Sequence, residues 1–355
     1  MIAALLVAVT ALVHAPVTAA AAVGSVHLDV RAERDIQYGE AGGVALLLDA
    51  YVPSSPGSHP AMLVIHGGTW NSGDKRDMAV PSEAFADAGF AAFAVNYRLA
   101  PVFTYPSPLE DLQAAVRWIR THASEYHVDR GRIGAFGVSA GGHLASLLAT
   151  VGKGSKDDDA RVRVAMSWSG PQDLTSILGG FQSFGPIDAF IGCSLAACPK
   201  KWRQASPVAH VDPTDAPLLL ANSSDELVPF GQASEMAGAL RRHRVPARLI
   251  EIPGDTHVLY GFVQVGPRGK TVTQLTLDFA RKWIDEPRSG GGTASPTNLS
   301  PKPTSGVPSA KPASPTPPAL RASKEGGKAP LLPIAAAAAG IFAIGALLVI
   351  GRLRR

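Results

Sequence analysis

The sequence predicts an α/β protein built on a mostly parallel sheet with helices on both faces. Three observations carry this reading. Short apolar runs of strand length alternate with segments of helical spacing from about residue 26 to residue 286. Several runs, such as AMLVI at 61–65 and AAFAVNY at 91–97, are almost wholly apolar, as strands covered on both sides are. No fixed-period repeat runs through the alternation.

The elements come in this order. Strands are expected at 26–38, 44–51 and 61–65, the last ending in His66-Gly67-Gly68. A helix near 80–87 precedes the strand at 91–97. Over 108–126, Leu109, Leu112, Ala115, Val116 and Ile119 fall at helical spacing. A strand at 133–138 leads into a helix at 143–151. Strands at 162–168, 217–221 and 247–252 then combine with helices at 232–243 and 271–283. The long irregular stretch 170–215 is read as a small cap between the sixth strand and the strand bearing the acid.

Both ends differ from this middle. Residues 1–22 are apolar and then small, with an A-x-A exit, which is the pattern of a secretory signal; a basic start is missing. The catalytic domain is expected over 23–286. Residues 287–330 are rich in Pro, Ser, Thr, Gly and Lys and too poor in large apolar groups to offset their ordering entropy. They are read as a stalk that reaches, at about 3.1 Å per residue, on the order of 100 Å. Residues 331–350 are uncharged and apolar, and as a helix measure about 30 Å, enough to cross a bilayer. Arg352, Arg354 and Arg355 in the tail 351–355 mark its cytoplasmic side. The expected location is therefore the cell membrane, single-pass, with the catalytic domain outside.

Composition narrows the rest. Of 355 residues 46% are hydrophobic, ample for a core, and the formal charge is only +4. Basic residues form no run interleaved with aromatics, which speaks against a nucleic-acid partner. The two cysteines, Cys193 and Cys198, are expected to pair in an oxidising compartment. Two cysteines alone make no zinc site, and neither a metal nor an organic cofactor is implied.

In such a sheet reactive groups gather at the carboxyl ends of strands. Gly137-Val138-Ser139-Ala140-Gly141 places a serine between glycines where a strand meets a helix, the G-x-S-x-G arrangement of a nucleophile elbow. Gly67 and Gly68, after an earlier strand, have the backbone freedom to aim N–H groups at an oxyanion, with the Ala140 amide as the other donor. One such donor is worth about 3 kcal/mol of barrier. After the strand at 217–221 comes Asn-Ser-Ser-Asp225-Glu226, and after the next strand comes His257. Ser139, Asp225 and His257 fall in the order nucleophile, acid, base; Asp225 is preferred over Glu226 and Asp255 as the residue nearest the strand end. His66 is read as holding its loop and His143 as packing. Trp70 and Tyr260, with Phe103, Tyr105, Trp202 and Phe262, are candidate pocket walls.

HGGTW at 66–70, SGDK at 72–75, NYRLAP at 96–101, LED at 109–111, DRGRIGAFGVSAGGHLA and DELVP together resemble the α/β-hydrolase superfamily. The likeness is to its secreted carboxylesterase branch, similar to hormone-sensitive-lipase-like and BD-FAE-like enzymes, and covers roughly 44–283. It implies a serine hydrolase acting on small-molecule or cell-envelope esters through an acyl-enzyme. It also implies structural roles for Tyr97, Arg98 and Asp111. HGGxW is similar to kynurenine formamidases too, so an amidase or peptidase of this fold is the alternative. An inactive surface-binding module is the reading from another class.

Overall fold

The computed structural model describes residues 29–151, 159–176, 185–258 and 261–286. Eight strands form one sheet: β1 (Val30–Ala41), β2 (Val44–Pro53), β3 (His59–Ile65), β4 (Ala91–Val95), β5 (Val128–Val138), β6 (Ala165–Trp168), β7 (Leu218–Ser223) and β8 (Ala247–Ile252). Their spatial order is β1-β2-β4-β3-β5-β6-β7-β8. The β1–β2 and β2–β4 pairs are antiparallel; every later pair is parallel. The expected α/β architecture is present.

The period of two along each strand assigns side chains to two helical layers. On β3, Ala61, Leu63 and Ile65 join the core that includes Leu112 and Val116 of α2 (Ser107–Thr121), Leu144 and Leu148 of α3 (Ala140–Thr150), and Met236 and Leu240 of α6 (Phe230–Arg242). Met62 and Val64 face the other way, onto Phe85 of α1 (Ala79–Asp87) and Phe279 of α7 (Val272–Ile284). Covering on both faces explains why the central strands read as unbroken apolar runs. α7 begins at a capping box, where Thr271 Oγ1 accepts from the Gln274 amide and Gln274 Oε1 accepts from the Thr271 amide.

Arg98, Asp111 and Tyr97 secure the segment after β4. The Arg98 guanidinium grips the Asp111 carboxylate through Nε at 2.9 Å and Nη2 at 2.7 Å, and the Arg98 amide also donates to it. Asp111 sits in the first half of α2, so the pair fixes where that helix begins. Tyr97 donates its hydroxyl proton to the carbonyl of His66.

Between β6 and β7 the described chain forms two short helices, α4 (Gly185–Ile191) and α5 (Pro199–Gln204), and a single 3-10 turn at Pro207–His210. Cys193 and Cys198 are bridged between the helices, with Cα atoms 6.3 Å apart. So small a closed loop contributes about 2 kcal/mol by chain entropy. The Trp202 indole N–H donates to the Cys193 carbonyl and secures α5 to the bridge.

Among the described residues no helix is long and apolar enough to cross a membrane. The signal-like segment 1–22, the stalk 287–330, the apolar segment 331–350 and the basic tail 351–355 lie outside the described residues.

Candidate active site

β5 ends at Val138 and α3 begins at Ala140, leaving Ser139 alone in the turn. Its backbone stands at φ 53°, ψ −119°, a region that costs a non-glycine residue about 1–3 kcal/mol. Two bonds hold it there: the Ser139 amide donates to the Trp168 carbonyl at 2.7 Å, and its carbonyl accepts from the His143 amide at 3.0 Å. The flanking glycines are a matter of space. A Cβ on Gly141 would lie 2.3 Å from the Ile65 carbonyl oxygen, and one on Gly137 would lie 2.2 Å from the Gly141 oxygen. Without the first carbon α3 can start this close to the end of β3, and without the second the chain can turn this tightly from β5 into α3.

The loop after β3 lies against the serine. A side chain on Gly67 would stand 3.3 Å from Ser139 Cβ. His66 Nδ1 donates to the Gly67 carbonyl at 2.7 Å, and its ring stacks on Tyr97 at 4.3 Å. Burial lowers the pKa of His66, so it serves as a neutral donor. The Gly68 carbonyl accepts from the Asn71 amide and from both the amide and the hydroxyl of Ser72. Among the described residues the amides of Gly67, Gly68 and Ala140 donate to no backbone carbonyl. Further along the loop, buried Lys75 reaches Asp49 on β2 at 2.6 Å and Asp35 on β1 at 2.7 Å, anchoring the SGDK segment to the sheet.

His257, after β8, completes the approach: its Nε2 lies 3.0 Å from Ser139 Oγ. On the other side of the ring Nδ1 makes a short hydrogen bond to Glu226, not to Asp225. The expected acid is thus corrected. Asp225 is exposed, and its side chain has no hydrogen-bond or ion-pair partner among the described residues. Asp255 is exposed as well. The reason lies in the turn after β7. The Ser223 amide donates to Glu226 Oε1 at 2.7 Å, folding that side chain back over the strand end, while Ser169 Oγ donates to the same oxygen at 2.9 Å. The fully buried Glu226 carboxylate therefore accepts three hydrogen bonds, one of them from the imidazole.

Three of the expected aromatic pocket walls are also corrected. Trp70, Tyr105 and Trp202 are buried, and Trp70 stacks on Phe190 with ring centres 4.7 Å apart. Trp70 supports the loop rather than lining an open cleft. Phe262 is 85% exposed, and Tyr260 lies outside the described residues.

His143 is sealed in the same aromatic cluster, and burial pushes its pKa down to about 4 from 6.5. Below about pH 6.5 the unfolded chain takes up a proton that the folded imidazole refuses, so stability is full above that pH and falls as pH drops toward 4. The melting temperature of the native protein is expected to fall more steeply between pH 7 and pH 4 than that of His143→Asn. Equal slopes in thermal melts of the two proteins would contradict this; His66 is common to both.

The mostly parallel sheet, the strained serine after β5 and the histidine after β8 define an α/β-hydrolase. The BD-FAE family profile matches residues 48–240, more than half of the chain, and the chain belongs to that family. It is 32% identical over 248 residues to the probable carboxylic ester hydrolase LipM of Mycobacterium tuberculosis, an alignment covering 65% of this chain and 57% of LipM. It is 30% identical over 259 residues to the esterase LipQ of the same organism, covering 69% of this chain and 61% of LipQ. The chain thus spans about three-fifths of the length of these relatives. Among solved structures, a truncated carbohydrate esterase from gut microbiota superposes with a TM-score of 0.62 at 21% identity, covering 73% of this chain and 98% of that one, a likeness of fold.

Proposed function

We propose that the protein is a serine esterase that cleaves small carboxylic esters through an acyl-enzyme. The observation that carries this is the continuous line from Ser139 Oγ to His257 Nε2, at 3.0 Å, and from His257 Nδ1 to Glu226. Ser139 attacks the ester carbonyl while His257 takes its proton. Glu226 holds the imidazole in the tautomer that leaves Nε2 free to accept, and stabilises the imidazolium. The amides of Gly67, Gly68 and Ala140 receive the developing oxyanion. The imidazolium then protonates the leaving alcohol, and water, activated by the same ring, releases the acid. The names of LipM and LipQ support an ester as the substrate.

The tethered, extracellular location belongs to this proposal. It rests on the signal-like start, the Pro/Ser-rich stalk and the apolar segment before the terminal arginines, and the Cys193–Cys198 bridge is consistent with an oxidising compartment.

The test is turnover of short p-nitrophenyl esters beside the matching anilides, together with labelling by a fluorophosphonate probe. The expected result is ester hydrolysis well above anilide hydrolysis and a single label on Ser139. Faster anilide cleavage would replace the esterase with an amidase. Folded protein that neither labels nor turns over either substrate would leave a binding module.

A further inference from the structure

His143 is a polar group sealed where the proposed reaction does not use it. It is fully buried one helical turn after the nucleophile, and its amide bonds the Ser139 carbonyl. Its ring has a partner on each side. The Trp70 indole N–H donates to Nδ1 at 3.1 Å, and Nε2 lies 2.7 Å from the Ala205 carbonyl. An indole N–H can only donate and a carbonyl can only accept, so the two partners fix one tautomer: Nε2 carries the proton and Nδ1 accepts. Phe190 closes the cluster, stacked on Trp70 and edge-on to His143.

Trp70 is the far end of the turn that begins at Gly67. Thr69 and Trp70 both stand at positive φ, 52° and 60°, and such strain persists only where the surroundings impose it. The Trp70 carbonyl accepts from the Ala100 amide, which fixes its backbone on one side. The indole bond to His143 is its hydrogen-bonded link to the helix that carries the nucleophile.

We propose that His143 is a positioning residue that holds Trp70, and through it the Gly67–Gly68 turn, in register with Ser139, while its other nitrogen locks the same helix to the segment after α5. The proposal rests on the esterase reading, because the register matters only if those amides receive an oxyanion. Its low pKa keeps the ring neutral at ordinary pH, so that Nδ1 remains an acceptor. A sub-ångström drift of the turn weakens oxyanion donation without touching ground-state binding, so the loss falls on kcat rather than KM.

The experiment compares four variants of the whole chain by steady-state ester kinetics, fluorophosphonate labelling rate and thermal melting. Trp70→Phe removes the indole donor and keeps an aromatic ring, though a smaller one, beside Phe190. His143→Phe removes both ring hydrogen bonds, and His143→Gln places its amide near Ala205 but away from Trp70. His143→Asn places an amide oxygen near the position of Nδ1. The expected result is a fall in kcat of about ten- to a hundredfold, short of loss of an oxyanion donor itself, for Trp70→Phe, His143→Phe and His143→Gln, with KM within about threefold. His143→Asn recovers most of that loss, and the Trp70→Phe/His143→Phe double variant is no slower than the slower single one. A purely structural role would instead rank the variants by melting temperature and make the double variant additive, and either result overturns the proposal. So does unchanged kcat in folded Trp70→Phe. Absence of labelling and turnover in the native protein would instead strike the esterase reading on which the proposal stands, and is read before any variant.

Discussion

Glu226→Gln is expected to lower kcat/KM for a short p-nitrophenyl ester by about 10³–10⁴-fold, whereas Asp225→Asn leaves it within about twofold. The substituted amide keeps the shape of the side chain and removes the charge that faces the imidazolium. It also offers an N–H where His257 Nδ1 needs an acceptor, which favours the wrong tautomer. The Ser223 amide and Ser169 hydroxyl go on bonding the side chain, so the fold has little cause to shift. Asp225 cannot substitute, because the turn that returns Glu226 to the strand end sends its neighbour into solvent. Steady-state kinetics of the two variants decide it, and the reverse ranking would restore Asp225 as the acid.

Ser139→Ala is expected to have the largest effect, a fall of about 10⁶-fold in kcat, with loss of fluorophosphonate labelling. Alanine suits the position structurally. The strain at φ 53° is set by the Trp168 and His143 backbone bonds, which do not involve the hydroxyl. Melting temperature therefore stays close to that of the native protein, and lost turnover reports chemistry rather than unfolding. A small residual rate is expected from the oxyanion amides alone. A variant that hydrolyses esters as fast as the native chain would end the serine mechanism.

Much of this site is legible in the sequence because it lies where strands end. Ser139 and Gly67 each come after an apolar run and His257 after a strand-length segment of mixed polarity, and the fold brings those strand ends to one rim of the sheet. The acid is not legible. Asp225 and Glu226 are adjacent, and nearness to the strand favours the first. The choice depends on which side chain the Ser223 amide captures, a bond made in three dimensions. Trp70 is hidden for a similar reason. Its aromatic partner, Phe190, is 120 positions away, in a stretch with weak periodicity, so nothing nearby in sequence marks the indole as buried. The boundaries of β1 and β5 also run differently from expectation. β5 starts at Val128 because Asp129, Arg130 and Arg132 extend the strand as polar residues, which an apolar criterion passes over.

The position of β5 within the sheet carries a last consequence. Four strands lie to one side of it and three to the other, so the backbone leading to Ser139 shares with β3 the centre of the sheet, farthest from either free edge. Glu226 and His257 hang instead from β7 and β8, the last two strands at one border. Fraying that begins at that border separates the base and acid from the hydroxyl while the central backbone still resists solvent exchange. Catalytic competence is then the first property surrendered as conditions worsen, and compactness the last.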